Sequence, residues 1–591
     1  MSLTHLALAA GAALLAATSL PDAAAAAPAG GADARARRFV QQHEAAVRPL
    51  EIEANLAYWA ANVTGKEEDF KKKEEAETKV DLYLANPERF AELKALKQAK
   101  LSDPLLERQI EVLYLEYLGK QLDHDLLRAM LAKDNAIQRL FNVCRPKVNG
   151  KEITDNEVRR VLRESKDSAE RRAVWEAGKR VGQQVAGELR QLVALRNQAA
   201  RKLGFSDYHA MQLYLGEQDQ GQLLKLFDEL DGLTRAPFRA AKAEIDAALA
   251  KSYGVKVEEL RPWHYHDPFF QEAPAVLGEL PDSVYKSLDP IKVCGQFYAG
   301  IGLPIDDVLR RSDLYEKPGK NPHAFCTDID RAGDVRILEN VVPGREWLET
   351  SLHELGHAAY SKYVGCGKGD SPHLCEAPSG PFRQMGTVPF SALPYLLHTD
   401  AHPLCTEGMA MMFDRFSKDV DWLIAMGANV PNPEQFRAAA MKLQRSRLLI
   451  FSRYCQVMFR FELAMYAKPD QDLNRLWWDL VEKYQEVKRP EGRNQPDYAS
   501  KYHFTGAPAY YHNYQLGEMF ASQVHHALVA KVLPGTKPAG AIYVGKKAAG
   551  EFIQQRVFQP GLSLNWNELT RHATGEELSP KAFAEDLKAS P

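Results

Sequence analysis

Apolar residues recur at three- and four-residue intervals from about Ala36 to Gly254, in a stretch rich in Ala, Leu, Glu, Lys, Arg and Gln and poor in proline. That spacing puts them on one side of a helix with 3.6 residues per turn. Val174, Ala177, Val181, Val185, Leu189, Leu192 and Leu195 trace one such face, whose plain role is core packing. This half of the chain is expected to be stacked amphipathic helices. Prolines and aromatics thicken from Arg261 to Pro290, and Ala324 to Val342 alternates, with Asp330 to Asp334 around Gly333 as a turn; a short hairpin is expected there. Helical patterning resumes at about Trp347, breaks in a Gly/Pro-rich segment from Gly365 to Pro403, and returns from Glu407. The expected class is mostly α with a small hairpin and no repeat of fixed period.

Composition narrows the function. The 591 residues are 45% hydrophobic and 26% charged, which suits a large buried core and excludes collagen, a disordered chain and a disulfide-dense miniprotein. A net charge of −3, with no long Lys/Arg run, gives no general pull toward nucleic acid or anionic membrane. The cluster Lys71 to Glu75 reads as a solvated face.

Leu6 to Leu20 is almost wholly Ala, Leu and Gly, followed by Pro21 and the small-residue tract Ala23 to Ala27. The pattern is that of a signal peptide over residues 1–27, too short to span a bilayer, although the first five residues carry no Lys or Arg. Export to the periplasm or exterior is expected, with one catalytic domain over 28–591. Seven cysteines without a CxxC pair indicate neither a thiolate zinc knuckle nor a thioredoxin-type centre. In an exported chain, Cys366 and Cys375 are the nearest-spaced candidates for a bridge.

His353-Glu354-Leu355-Gly356-His357 is an HExxH sequence inside the helical segment Trp347 to Lys362. Residues i and i+4 share a helix face about 5–6 Å apart, so two imidazoles can hold one zinc while Glu354 is aimed at a zinc-bound water. Two histidines and a glutamate among Leu352, Leu355, Ala358 and Ala359 would be costly to bury without a partner such as a metal. A catalytic zinc needs a third protein ligand. Glu407, which opens the apolar segment to Phe413, is the choice; Glu376, among Cys375, Pro378 and Gly380, is the rival. His398 and His402 also lie four apart, but Pro403 argues against a helix there, and they read as loop histidines.

A second polar cluster, Lys501, His503, Tyr510, Tyr511, His512 and Tyr514, follows in the last third. Tyr and His donors could stabilise the oxyanion of amide hydrolysis, although an aromatic stripe is more often core.

The chain resembles the angiotensin-converting-enzyme family of zinc peptidyl-dipeptidases. The likeness is carried by Ala54 to Thr64, Glu164 to Asp167 leading to Val174-Trp175, Leu195 to Phe205, Leu476-Trp477-Trp478-Asp479-Leu480, Lys483-Tyr484-Gln485 and Lys501-x-His503, in one order along the chain. The resemblance implies a two-lobed helical fold around a deep channel, with His353, His357 and Glu407 as zinc ligands. It implies Glu354 as base and later proton donor, and His503 and Tyr514 as oxyanion donors. Lys501 and Tyr511 would grip the free carboxylate of a peptide substrate, and His323 and Ala324 would contact the peptide on the primed side.

Three departures are expected from that pattern. Tyr265 stands for a glutamine that helps hold the carboxylate, Asn513 for a chloride-binding arginine, and Met411 for an aspartate that supports a zinc ligand. The segment between His357 and Glu407 is also longer than usual. His353 to Ala358 and Tyr510 to Ala521 are similar as well to the thimet oligopeptidase and oligoendopeptidase F family, which cuts internal bonds. Release of carboxyl-terminal dipeptides is the leading expectation and internal cleavage the alternative. A catalytically dead binding homologue is disfavoured because all ligands and the base are present.

Overall fold

The computed structural model describes residues 31–274, 280–365 and 393–588. The leader expected over 1–27, the insert bearing Glu376 and the Cys366/Cys375 pair lie outside the described residues. Described residues are overwhelmingly helical, with two two-stranded antiparallel sheets, Lys147–Val148 with Lys151–Glu152 and Phe325–Asp328 with Val335–Leu338. No helix among them is long and apolar enough to cross a membrane.

The amino-terminal half is the expected stack. Long helices run over Ala32–Thr64, Ser168–Lys202 and Gln220–Tyr253. Asp167 and Asp219 start the latter two by accepting backbone N–H bonds, which satisfies donors a helix leaves orphaned at its first turn. Gly254 ends the last in a left-handed conformation, φ 64°, where the lack of a Cβ is an advantage. On Ser168–Lys202, Val174, Ala177, Val185, Leu189 and Leu192 are buried, while Val181 and Leu195 pack at the core's edge.

A second, smaller core gathers Phe39, Leu93, Leu113, Tyr117 and Leu396 under the first helices.

The hairpin forms where alternation predicted it. Phe325 pairs with Leu338 and Asp328 with Val335, and Gly333 turns the chain at φ 110°. Its inward residues Phe325, Val335, Ile337 and Leu338 are buried against the helix Arg345–Tyr363, which carries the HExxH sequence.

The next helix differs from expectation. It runs Pro403–Asp414, four residues earlier than Glu407, because Pro403 sits in its first turn and His402 caps it, Nδ1 accepting from the Leu404 N–H at 3.1 Å. Proline at a helix's first position loses only an N–H that would be orphaned anyway. His398 and His402 lie ahead of the helix proper, as the sequence indicated.

Candidate metal centre

Three helices meet at two glycines. A Cβ on Gly356 would lie 2.8 Å from the Ala410 Cα, and one on Gly408 would lie 2.7 Å from the Gly517 carbonyl oxygen. Both distances are too short for any larger residue, so Arg345–Tyr363, Pro403–Asp414 and His512–Val532 pack backbone to backbone. That approach fixes where the polar side chains of all three converge.

His353 and His357 project from one face of the first helix, their Nε2 atoms 3.2 Å apart. Glu407 Oε2 from the second helix stands 3.5 Å from His353 Nε2 and 4.0 Å from His357 Nε2. One ligand atom from each residue lies within 4.8 Å of the others. Ligand atoms about 2.0–2.1 Å from a single tetrahedral zinc are separated by about 3.3 Å, so two imidazoles and a carboxylate fit that ion and leave a fourth position open.

The outward ring nitrogens are also held. His353 Nδ1 lies 3.0 Å from Asp414 Oδ2, and His357 Nδ1 lies 2.7 Å from Thr406 Oγ1. With Nδ1 as donor, each imidazole turns the Nε2 lone pair inward, the usual support for a metal-binding histidine.

Electrostatics point the same way. Burial opposes charge on His353, yet hydrogen bonds with Asp414 and Glu407 raise its pKa to about 10. His357, buried and beside His353, is pushed down to about 4. Burial pushes Glu407 up, but the bond from His353 and both histidine charges bring it to about 2. Glu407 is thus held ionised at neutral pH, the form that can ligate a cation.

Glu354 is buried beside the ligands. Tyr510 reaches Glu407 Oε1 at 3.5 Å, and its ring meets Tyr514 at 5.3 Å. Tyr514 in turn packs on Tyr511, and Tyr511 on His503 at 5.0 Å. Burial, with the Lys501 charge nearby, lowers the His503 pKa to about 3, so at neutral pH it is an uncharged N–H donor. His503, Tyr511 and Tyr514 thus form one aromatic wall leading from the metal donors to Lys501.

Lys501 is buried with its Nζ near the rings of Tyr454, Tyr511 and Phe269, at 5.1, 5.2 and 5.3 Å from their centroids. It donates to Gln271 Oε1 at 2.7 Å, and Tyr511 donates to the same oxygen at 3.3 Å. Burial lowers the Lys501 pKa to about 8, with Asp267 opposing.

One sequence expectation is corrected here. Tyr265 does not stand in for the carboxylate-holding glutamine. It is buried elsewhere, accepting from Lys242 Nζ at 2.8 Å and donating to Asp246 at 2.9 Å, while Gln271 takes the place beside Lys501 and Tyr511. Met411 stands where the resemblance placed an aspartate, and Asp414, three residues further along the helix, reaches His353. Gln271 gave no local signal beyond being the single glutamine in residues 223–295, and Thr406 and Asp414 gave none beyond sharing the helix of Glu407.

Other expected residues are placed as follows. Ala324 leads directly into the strand Phe325–Asp328 that packs on the motif helix. His323 is exposed, on a loop tied to Asn62 through Asn321, and its side chain makes no hydrogen bond among the described residues. Asn513 accepts from Gln218 at 2.7 Å, and Gln218 also bonds His512.

Comparison with known proteins places the chain in a family. A family model described as angiotensin-converting enzyme matches residues 31–260 and 441–586, more than half of the chain, on both sides of the segment that holds the metal donors. Curated angiotensin-converting enzymes of Rattus norvegicus, Mus musculus and Mesocricetus auratus are 23%, 23% and 24% identical over 597, 603 and 601 residues. These alignments cover 92–94% of this chain and 42–43% of each relative. The chain spans less than half the length of the curated relatives it matches.

Proposed function

Because the chain belongs to the angiotensin-converting enzyme family, we propose that it is a zinc peptidase that releases dipeptides from the free carboxyl end of oligopeptides. His353, His357 and Glu407 would hold the zinc. Zinc there would acidify a water and polarise the scissile carbonyl. Glu354 takes the proton from the attacking water and delivers it to the leaving amine. His503 and Tyr514 donate hydrogen bonds to the developing oxyanion, where such donors contribute most. His323 and the Ala324 backbone flank the peptide on the primed side, in strand fashion. The leader-like residues 1–27 support export.

The observation that carries the reading of dipeptide release is the trio Lys501, Tyr511 and Gln271. A lysine so buried, with no carboxylate within ion-pair distance among the described residues, is relieved of its desolvation by a substrate carboxylate. An enzyme cutting internal bonds has no need of such a fixed cation.

Digestion of one peptide and its amidated twin tests this, with products weighed by mass spectrometry. Dipeptides are expected from the free-carboxyl peptide only. Equal cleavage of both peptides at internal bonds would replace this reading with that of an oligoendopeptidase, and a zinc-loaded protein cleaving neither would overturn both.

A further inference from the structure

Tyr510 and Tyr511 are neighbours with different tasks. Tyr511 turns to Gln271 and Lys501. Tyr510 turns the other way, its hydroxyl 3.5 Å from Glu407 Oε1. The two oxygens of Glu407 are thereby divided. Oε2 faces the ring nitrogens, 3.5 Å from His353 Nε2 and 4.0 Å from His357 Nε2. Oε1 has Tyr510 as its one hydrogen-bond partner among the described residues.

The backbone before Tyr510 aims it. Ala509 is left-handed, φ 54°, a conformation that a residue with a Cβ rarely holds. Its own N–H keeps it there, donating to Oε1 of the buried Glu462 at 2.8 Å. The Tyr510 carbonyl then accepts from the Asn513 N–H at 2.9 Å as the helix His512–Val532 begins. Backbone fixed in this way by its surroundings is found where a side chain must be presented in one orientation. The Tyr510 ring packs edge-on to Tyr514, centroids 5.3 Å apart at 79°.

A tyrosine hydroxyl keeps its proton at neutral pH and donates, whereas a carboxylate only accepts. A ligating glutamate with both oxygens free can turn and offer both to one ion, filling the position that a catalytic zinc site keeps open. A hydrogen bond to Oε1 opposes that turn. Such bonds are often long before substrate binds and tighten in the working complex.

We infer that Tyr510 is a positioning residue of the reaction, its hydroxyl tying Glu407 to ligation through Oε2 alone so that the fourth position of the metal stays open. This role rests on His353, His357 and Glu407 holding the zinc, as proposed above. Tyr510 thus acts on turnover and Tyr511 on the grip of the substrate's end.

Cobalt(II) in place of zinc makes the ligation visible, because a four-coordinate ion absorbs visible light more strongly than a five-coordinate one. Wild type, Tyr510→Phe, which loses only the hydroxyl, and Tyr511→Phe are compared by cobalt absorption and, as zinc proteins, by steady-state hydrolysis of a free-carboxyl peptide. Tyr510→Phe should weaken the cobalt band and lower kcat about tenfold or more with KM kept. Tyr511→Phe should raise KM and leave the cobalt band as in the wild type. A cobalt band or a kcat in Tyr510→Phe equal to that of the wild type overturns the inference, and so does a band weakened equally in both variants. A wild type that binds cobalt and cleaves no peptide removes the peptidase reading instead, and the spectra alone then decide the role of Tyr510. A wild type that binds no cobalt removes both.

Discussion

His353 Nδ1 sits 3.0 Å from Asp414 Oδ2, and Asp414 lies seven residues, two helical turns, beyond Glu407. One helix thus supplies both a metal donor and the group that orients another donor. Loss of that orientation is expected to weaken zinc binding by roughly 10–100-fold in Asp414→Ala. Competition with a chelator, followed by metal analysis, measures it, and an unchanged zinc affinity would refute the role.

Gln271 positions Lys501 and Tyr511 without reaching the metal donors. Gln271→Leu is expected to raise KM for a free-carboxyl peptide about tenfold, the value of one lost hydrogen bond to a charged group. kcat should change little. Steady-state kinetics that show a fall in kcat with KM intact would contradict this assignment.

Lys501 gives KM its own pH dependence. Burial brings its pKa down to about 8, so the cation that would attract a substrate carboxylate is present below that pH and lost above it. Asp267 and Glu272 favour its charge, and Arg159 opposes it. KM for the free-carboxyl peptide should therefore rise between about pH 7.5 and 9, and Lys501→Arg, whose charge persists, should flatten that rise. A profile identical in the two proteins would remove Lys501 from the subsite.

Glycine substitutions separate close helix packing from helix propensity. Gly356→Ala drives a methyl group against the Ala410 backbone and is expected to cost about 1–3 kcal/mol of stability, as overpacking does. Gly187 is exposed within Ser168–Lys202 with nothing near its would-be Cβ, and Gly187→Ala should add about 0.5–1 kcal/mol. Denaturant midpoints of the two variants should move in opposite directions.

Acid sensitivity is written into buried histidines. His209 is buried with neither ring nitrogen hydrogen-bonded, and burial lowers its pKa to about 4. Burial lowers His402 to about 4 and His512 further still. Each is neutral when folded and titrates near 6.5 when unfolded. Below that pH the unfolded chain binds more protons, so their contribution is complete above about pH 6.5 and is lost as pH falls toward 4. His209→Phe should narrow the stability gap between pH 7.5 and pH 5 measured by urea unfolding; an unchanged gap would clear His209 of this part.

The local periodicities were legible because each is set within a few residues. The spacing of His353 and His357 could only place them one turn apart on one face, and the alternation at 324–342 could only be a hairpin. Glu407 was legible too, as a lone acid on an apolar helix. Gln271 was not, since its partners lie 230 and 240 residues away and nothing within its own stretch announces them. Asp414 was overlooked for a subtler reason. A carboxylate on the turn after Glu407 was sought at Met411, but His353 meets the helix one turn later, a matter of how far the two helices slide past each other. That offset is fixed by the contact of Gly356 with Ala410, which no single segment encodes.

The bond between Gln271 and Lys501 closes a span of 230 residues, and its consequence concerns timing. During synthesis Lys501 and Tyr511 emerge 230 and 240 residues after Gln271, so this buried trio closes only once the last third of the chain has folded back.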